Sequence, residues 1–191
     1  MPEDEPEASL VVRATQRDTV AFERLYSLYF DRVYRYVRLR LDNPADAEDV
    51  TATVFYRAWS RIDRFSPKHD ASFAVWLYRL ARNLIVDTYR RARVVLPLER
   101  ASEHDAGGEP AGDAENEVEW RLTIAELRAA LQALTDEQRE VVVLRFVEGL
   151  SARAVGEIMG KQEGTVRGMQ HRAIEALRHV LAGTGERVRD G

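Results

Sequence analysis

Apolar residues return every three to four positions through long stretches of the chain, which is the spacing of one buried helix face. Phe22, Leu25, Tyr26, Tyr29, Val33, Tyr36 and Val37 form one such stripe, with Asp18 or Thr19 placed to cap its start. Asn43-Pro44 supplies a cap and then proline at the first helical position. Asp46, Glu48 and Asp49 fall in the first turns, where the helix dipole favours acids. This helix carries Val50, Val54, Phe55, Ala58 and Trp59. Phe65 to Asp70 reads as a loop from its proline and polar residues. A further helix starts near Ala71 or Ser72 and turns Phe73, Trp76, Leu77, Leu80 and Leu84 inward. Thr135 and Gln138 fit a capping box ahead of Val141, Val142, Leu144 and Val147, and that helix ends at Glu148-Gly149. Strand signals and internal repeats are absent. The pattern predicts an all-α chain of two small helical domains.

The last third reads as a helix-turn-helix. Leu150 to Met159 runs to Gly160, and a second helix opens at Glu163 and continues to about Leu181. Two helices joined by a short glycine-containing turn can lay the second helix in a major groove. Val166, Met169, Ala173, Ile174 and Leu177 form its inward side. Thr165, Arg167, Gly168, His171 and Arg172 face outward near its start, where a recognition helix meets bases. Arginine or histidine donates to guanine acceptors, and threonine bonds phosphate or touches a thymine methyl. Gly168 removes a side chain and allows close backbone approach, at about 1 kcal/mol of helix propensity. A plain helical hairpin in a bundle is the bland alternative.

Composition and charge sharpen the division. Residues 1–9 are acidic and read as disordered, 10–96 as the first domain, 97–119 as a flexible acidic linker, 120–182 as the second domain and 183–191 as a disordered tail. The net charge of −4 hides an uneven spread. Residues 10–96 carry 16 Lys/Arg against 10 Asp/Glu, whereas 97–120 carry one arginine against eight acids. A phosphate feels charge mainly within a Debye length of roughly 10 Å, so the local sign matters more than the total.

The helix from Ser72 to Arg93 offers a second candidate surface. With its apolar residues inward, Arg79, Arg82, Asn83, Asp87 and Arg90 share the opposite side. Arginine neutralises phosphate and lies flat on a base; asparagine pairs bidentately with base edges. Trp76, Tyr78 and Tyr89 sit among them, and aromatic rings interleaved with arginine suit unstacked single-stranded bases. The alternative is a solvated arginine-rich helix whose aromatics are core.

Several chemistries are excluded. There is no cysteine, hence no disulfide, thiolate metal site or cysteine nucleophile. The four histidines lack metal-ligand spacing. Gly156 to Gln162 falls one residue short of a phosphate loop and has Gln162 where Ser or Thr should bind magnesium. No enzyme motif, cofactor or metal site is expected. The N-terminus lacks a signal-peptide core and no run approaches the roughly 18 apolar residues of a span, so a cytoplasmic address without membrane insertion is expected.

In its ordered series of motifs the chain resembles the extracytoplasmic-function sigma factors, the small two-domain initiation subunits of bacterial RNA polymerase. The matching stretches are AFERLY from Ala21, DAEDV from Asp46, FYRAW from Phe55 and ASFAVWLYRLARN from Ala71. Downstream come LTDEQREV from Leu134, LRFVEGLS from Leu144, and GTVR from Gly164 with HRA from His171. The resemblance implies that the first domain holds core RNA polymerase through Asp46, Glu48, Asp49, Phe55 and Trp59. It implies that Arg79, Arg82, Asn83, Asp87 and Arg90 read the single-stranded −10 element, with Lys68 and His69 in a loop that pockets a flipped base. Thr165, Arg167, Gly168, His171 and Arg172 would read the duplex −35 element. The family's linker occupies the polymerase's nucleic-acid channel, and its members are commonly held by an anti-sigma protein, so that partner is expected too. The family often has Gln-Glu at Ala52-Thr53, two acids at Ala152-Arg153 and serine at Gly168. An ordinary helix-turn-helix regulator that never binds polymerase, or a sigma-like decoy that never initiates, would share part of the pattern.

Overall fold

The computed structural model describes residues 5–66, 72–94, 124 and 127–187, with side chains through 91 and 179 in the two helices that end those stretches. Every regular element among the described residues is helical. The chain divides into two compact units between Gly108 and Glu109. The expected linker over 97–119, Lys68 and His69, and residues 1–4 and 188–191 lie outside the described residues.

The first unit begins earlier than its composition predicts. α1 (Glu7–Thr15) takes up part of the stretch 1–9 expected to be disordered. Leu10, Val11 and Ala14 are buried on it. The described acid before it has partners: Glu5 accepts from Ser9 at 2.6 Å and Arg13 at 2.7 Å, and Arg13 also pairs with Asp18 at 2.6 Å. Glu5 is thus tied to an arginine later in the chain.

α2 (Thr19–Arg38) is capped by Asp18, which accepts from the Val20 and Ala21 amides at 3.0 and 3.1 Å. The Ala21 amide, and next the Arg13 guanidinium, hold the Asp18 carboxyl below the ordinary aspartate range. α3 (Pro44–Arg61) opens as the sequence predicts, with Asn43 accepting from the Ala45 amide at 2.9 Å, and closes in a 3-10 turn, Ile62–Arg64. Between α1 and α2, Arg17 adopts a φ of +66°, which costs an L-residue about 1–2 kcal/mol. Its guanidinium offsets that by donating to the end carbonyls of α3, Trp59 at 2.8 Å and Ser60 at 3.4 Å, and by pairing with Asp63 at 2.8 Å.

α4 (Phe73–Val94) starts after Ser72, whose hydroxyl accepts from the Val75 amide at 3.4 Å. α1 packs on α2, α2 on α3 and α4, and α3 on α4. The core joins Leu25, Val33, Tyr36 and Val37 of α2, Val54 and Ala58 of α3, and Leu77, Tyr78, Ala81 and Ile85 of α4. Fully burying each large apolar side chain contributes roughly 1.5–3 kcal/mol. α4 buries a wider arc than its expected stripe. Val75, Tyr78, Ala81 and Ile85 join the core, whereas Leu80 is half-buried.

In the second unit residues 127–131 are helical. α5 (Asp136–Val142) has its capping box: the Gln138 amide donates to Thr135 Oγ1 at 3.3 Å, and the Thr135 amide to Gln138 Oε1 at 3.1 Å. α5 continues into a π-helical turn, Val143–Val147, closed by the Glu148 amide on the Val143 carbonyl at 3.0 Å. The turn keeps Val143 and Leu144 buried and leaves Phe146 55% exposed. α6 (Ala152–Met159) is capped by Ser151 and ends at Gly160, whose φ of +66° is left-handed. α7 (Glu163–Arg187) runs past the expected end near Leu181 and into the stretch 183–191 expected to be disordered. Extending a formed helix adds one hydrogen bond per residue without a new nucleation cost. Both α5 and α6 pack on α7.

Gly156 has a structural role that the failed phosphate-loop spacing does not reveal. A Cβ there would lie 2.6 Å from the Lys161 carbonyl oxygen, and the Lys161 amide donates to the Gly156 carbonyl at 2.9 Å. The turn therefore closes over a bare Cα. Gly156→Ala is expected to destabilise the second unit by about 1–3 kcal/mol, the usual cost of overpacking. Thermal and denaturant unfolding of the full chain measures this, and an unchanged transition would show that the turn opens freely.

Candidate nucleic-acid interface

On α4, Arg79, Asn83, Arg90 and Arg91 are exposed, and Arg82 and Asp87 are half-buried. Steps of three and four residues put Arg79, Asn83, Asp87 and Arg90 along one side. The helix therefore presents cationic and amide donors as a line, with an acid within it.

The aromatics lie elsewhere. Tyr78 is fully buried and meets Tyr36 edge-on at 5.4 Å between ring centroids. Trp76 is half-buried against Phe65 at 5.1 Å and Phe73 at 5.7 Å. Tyr89 is partly exposed, but its hydroxyl donates to the Arg40 carbonyl and so ties α4 to the chain leaving α2. Burial removes Tyr78 from the interleaved groove reading of α4, while Trp76 and Tyr89 are held by contacts within the fold and keep part of their surface open. Sequence spacing alone could not separate the cases, because Tyr78 sits one residue from Arg79.

On α3, Asp46, Glu48 and Asp49 are exposed. Phe55, expected at a protein interface, is only 4% exposed. Its ring packs on Tyr26 at 4.7 Å and Phe30 at 6.1 Å, so it supports the α2–α3 contact. Trp59 is half-buried, between Phe22 at 4.9 Å and the Arg17 guanidinium at 5.4 Å. The aromatic residue open to a partner is the neighbour that the sequence reading passed over, Tyr56, at 72% exposure. It follows Asp49, Ala52 and Thr53 at helical spacing, with Asp49 and Ala52 exposed and Thr53 half-buried. The signal for it was the stripe Val50, Val54, Ala58, which leaves position 56 outside.

On α7, Thr165, Arg167, His171 and Arg172 are exposed, and Gly168 is half-buried. Val166, Met169 and Ala173 are buried behind them, with Ile174 and Leu177 half-buried. Arg167 donates Nε and Nη2 to Glu163 Oε1 at 3.0 and 2.6 Å. His171 Nε2 lies 3.4 Å from Glu175 Oε1. A Cβ at Gly168 would meet Arg172 Nη1 at an ordinary 3.6 Å, so the protein's own packing does not require glycine there. Among the described residues no cluster of metal-ligating side chains occurs, and no helix is long and apolar enough to cross a membrane.

Two family profiles match the chain: Sigma-70 region 2 over residues 25–94 and Sigma-70, region 4 over residues 130–179. The ECF RNA polymerase sigma factor BldN of Streptomyces coelicolor is 38% identical over 172 residues, covering 90% of this chain. The chain spans 64% of the length of BldN. The ECF RNA polymerase sigma factor SigW of Bacillus subtilis is 34% identical over 174 residues, covering 86% of this chain and 90% of SigW. The chain belongs to the ECF RNA polymerase sigma factors. Such proteins are transcription initiation factors, not enzymes. Among solved structures, that of CnrH in complex with the cytosolic domain of CnrY matches with a TM-score of 0.70 and 25% identity, covering 91% of this chain and 96% of CnrH.

In this sigma factor α3 and α4 lie inside the region 2 match, and α5 to α7 begin inside the region 4 match; α1 precedes the former. Burial separates residues that hold region 2 together from those on its surface. Tyr78→Ala is expected to cost about 3–5 kcal/mol of stability, as for other buried aromatics. Asn83→Ala should leave stability within about 0.5 kcal/mol. Unfolding of both variants checks this, and a stable Tyr78→Ala protein would return that ring to the candidate nucleic-acid surface.

Proposed function

We propose that this sigma factor binds core RNA polymerase in the cytoplasm, directs it to a promoter subset, and helps part the strands there. One observation carries the reading: the stripe Arg79, Asn83, Asp87, Arg90 is left on the solvent side of region 2 while the aromatics of the same helix pack inward or tie it down. A helix with that face can meet phosphates and base edges on a strand released from its duplex.

Arg79, Arg82, Asn83, Asp87 and Arg90 read the −10 element on single-stranded DNA, with Lys68 and His69 beside them in the preceding loop. Thr165, Arg167, Gly168, His171 and Arg172 read the −35 element on duplex DNA. Asp46, Glu48, Asp49 and Trp59 engage the polymerase, and Tyr56 takes the place first given to Phe55. The domain over 10–96, extended by α1, serves polymerase and the −10 element, and that over 120–182 serves the −35 element. The acidic linker of roughly 22 residues could stretch about 75 Å at most, enough for elements under 20 base pairs apart, or on the order of 60 Å. CnrH was solved with the cytosolic domain of CnrY bound, which supports an anti-sigma protein as the partner that holds this chain in reserve.

Run-off transcription with purified core polymerase on promoter fragments selected by the reconstituted holoenzyme tests the reading. Specific initiation is expected; folded protein that starts at no promoter rejects it. In that assay Asn83→Ala should reduce open-complex formation more than −35 binding. Arg167→Ala should cost roughly 1–3 kcal/mol in −35 recognition. Tyr56→Ala should lower polymerase affinity by about 1–2 kcal/mol, as for an aromatic anchor. Equal losses in every step from all three variants would count against the division of roles.

A further inference from the structure

Resting on the −35 reading of α7, we propose that Glu163 is a positioning residue for DNA recognition: it fixes which edge of the Arg167 guanidinium is offered to a guanine. The guanidinium is planar and has two edges able to make paired hydrogen bonds. One is formed by Nε and Nη2, the other by Nη1 and Nη2. Glu163 Oε1 accepts from both Nε, at 3.0 Å, and Nη2, at 2.6 Å. The side edge is therefore occupied within the helix. The end edge keeps one proton on each of Nη1 and Nη2, the pair that spans the O6 and N7 acceptors of guanine.

The placement favours this. Glu163 opens α7, four residues before Arg167, and an acid preceding a base at that spacing is the more favourable order. The pair draws the arginine toward the helix start, where a recognition helix meets base edges. Glu163 also carries a charge that phosphates repel, so its presence at a DNA-facing helix start costs general affinity. Positioning gives a return that general affinity does not measure. Arg172, whose Nη1 lies above the bare Cα of Gly168, has no such acid holding two of its donors in the described hydrogen bonds, so the two arginines differ in preorganisation.

The test is selection from a library randomised across the −35 element, using the full chain with core polymerase, for the native protein, Arg167→Ala, Glu163→Ala, Glu163→Gln and the Glu163→Ala/Arg167→Ala double variant. The position at which Arg167→Ala abolishes a guanine preference defines the Arg167 contact. At that position Glu163→Ala should lower the preference about 1.5-fold to twofold, the scale of one exposed helical pair. Other positions should stay unchanged, and the double variant should match Arg167→Ala alone. Glu163→Gln keeps an acceptor of the same reach and should retain the preference. Affinity for unrelated duplex should rise equally in Glu163→Ala and Glu163→Gln, since both lose the charge. An unchanged preference in Glu163→Ala, or a uniform change across all positions, overturns the proposal. If Arg167→Ala itself alters no preference, the −35 reading of Arg167 falls, and the role of Glu163 falls with it.

Discussion

The edge-on contact of Tyr78 with Tyr36, both fully buried, is the constraint on which the first unit turns. It sets the rotation of α4 about its own axis. With Tyr78 inward, Leu77, Ala81 and Ile85 follow it into the core, and the side carrying Arg79, Asn83 and Arg90 has nowhere to go but solvent. Burying a guanidinium without full hydrogen bonding would cost several kcal/mol, so the two preferences reinforce each other. The same rotation brings Tyr89 to the Arg40 carbonyl, which anchors the far end of the helix. The polar side of α4 is thus oriented by a scaffold that is itself largely buried.

Features encoded within a few residues were legible in the sequence. Asn43 with Pro44, Thr135 with Gln138, and Ser151 each cap the helix expected after them, because a cap is satisfied by amides two or three positions away. The outward residues of α7 were legible for the same reason: its buried positions Val166, Met169 and Ala173 repeat at helical spacing. What could not be read depended on distant partners. α1 is short and follows an acidic start, and it is secured by Arg13 and Arg24 around Glu5, by Asp18 on Arg13, and by burial against α2. Phe55 and Tyr56 are both aromatic and adjacent, and only the packing of Tyr26 and Phe30 over Phe55 decides which is left exposed. Trp76 looks the same in sequence whether it stacks on a base or on Phe65 and Phe73.

The two units solve the presentation of a helix differently. In region 2 a broad apolar arc orients a long helix, and the polar stripe is what remains. In region 4 a tight turn does the work. Gly160 reverses the chain in a left-handed conformation, and Gly156 lets the Lys161 carbonyl approach its Cα. The start of α7 is thereby fixed relative to α6 by backbone contact, and side chains on the outer face are released from structural duty. That leaves Glu163, Arg167, His171 and Arg172 to interact with one another and with what lies outside.

The π-helical turn from Val143 to Val147 contains an extra residue for the axial distance it covers. Removing one residue there would restore an ordinary helical repeat without shortening the chain's path through the core. The helix would then lose the wider winding that sets its end, and the left-handed Gly149 that follows, at a φ of +70°, would turn the chain from a different point on the circumference.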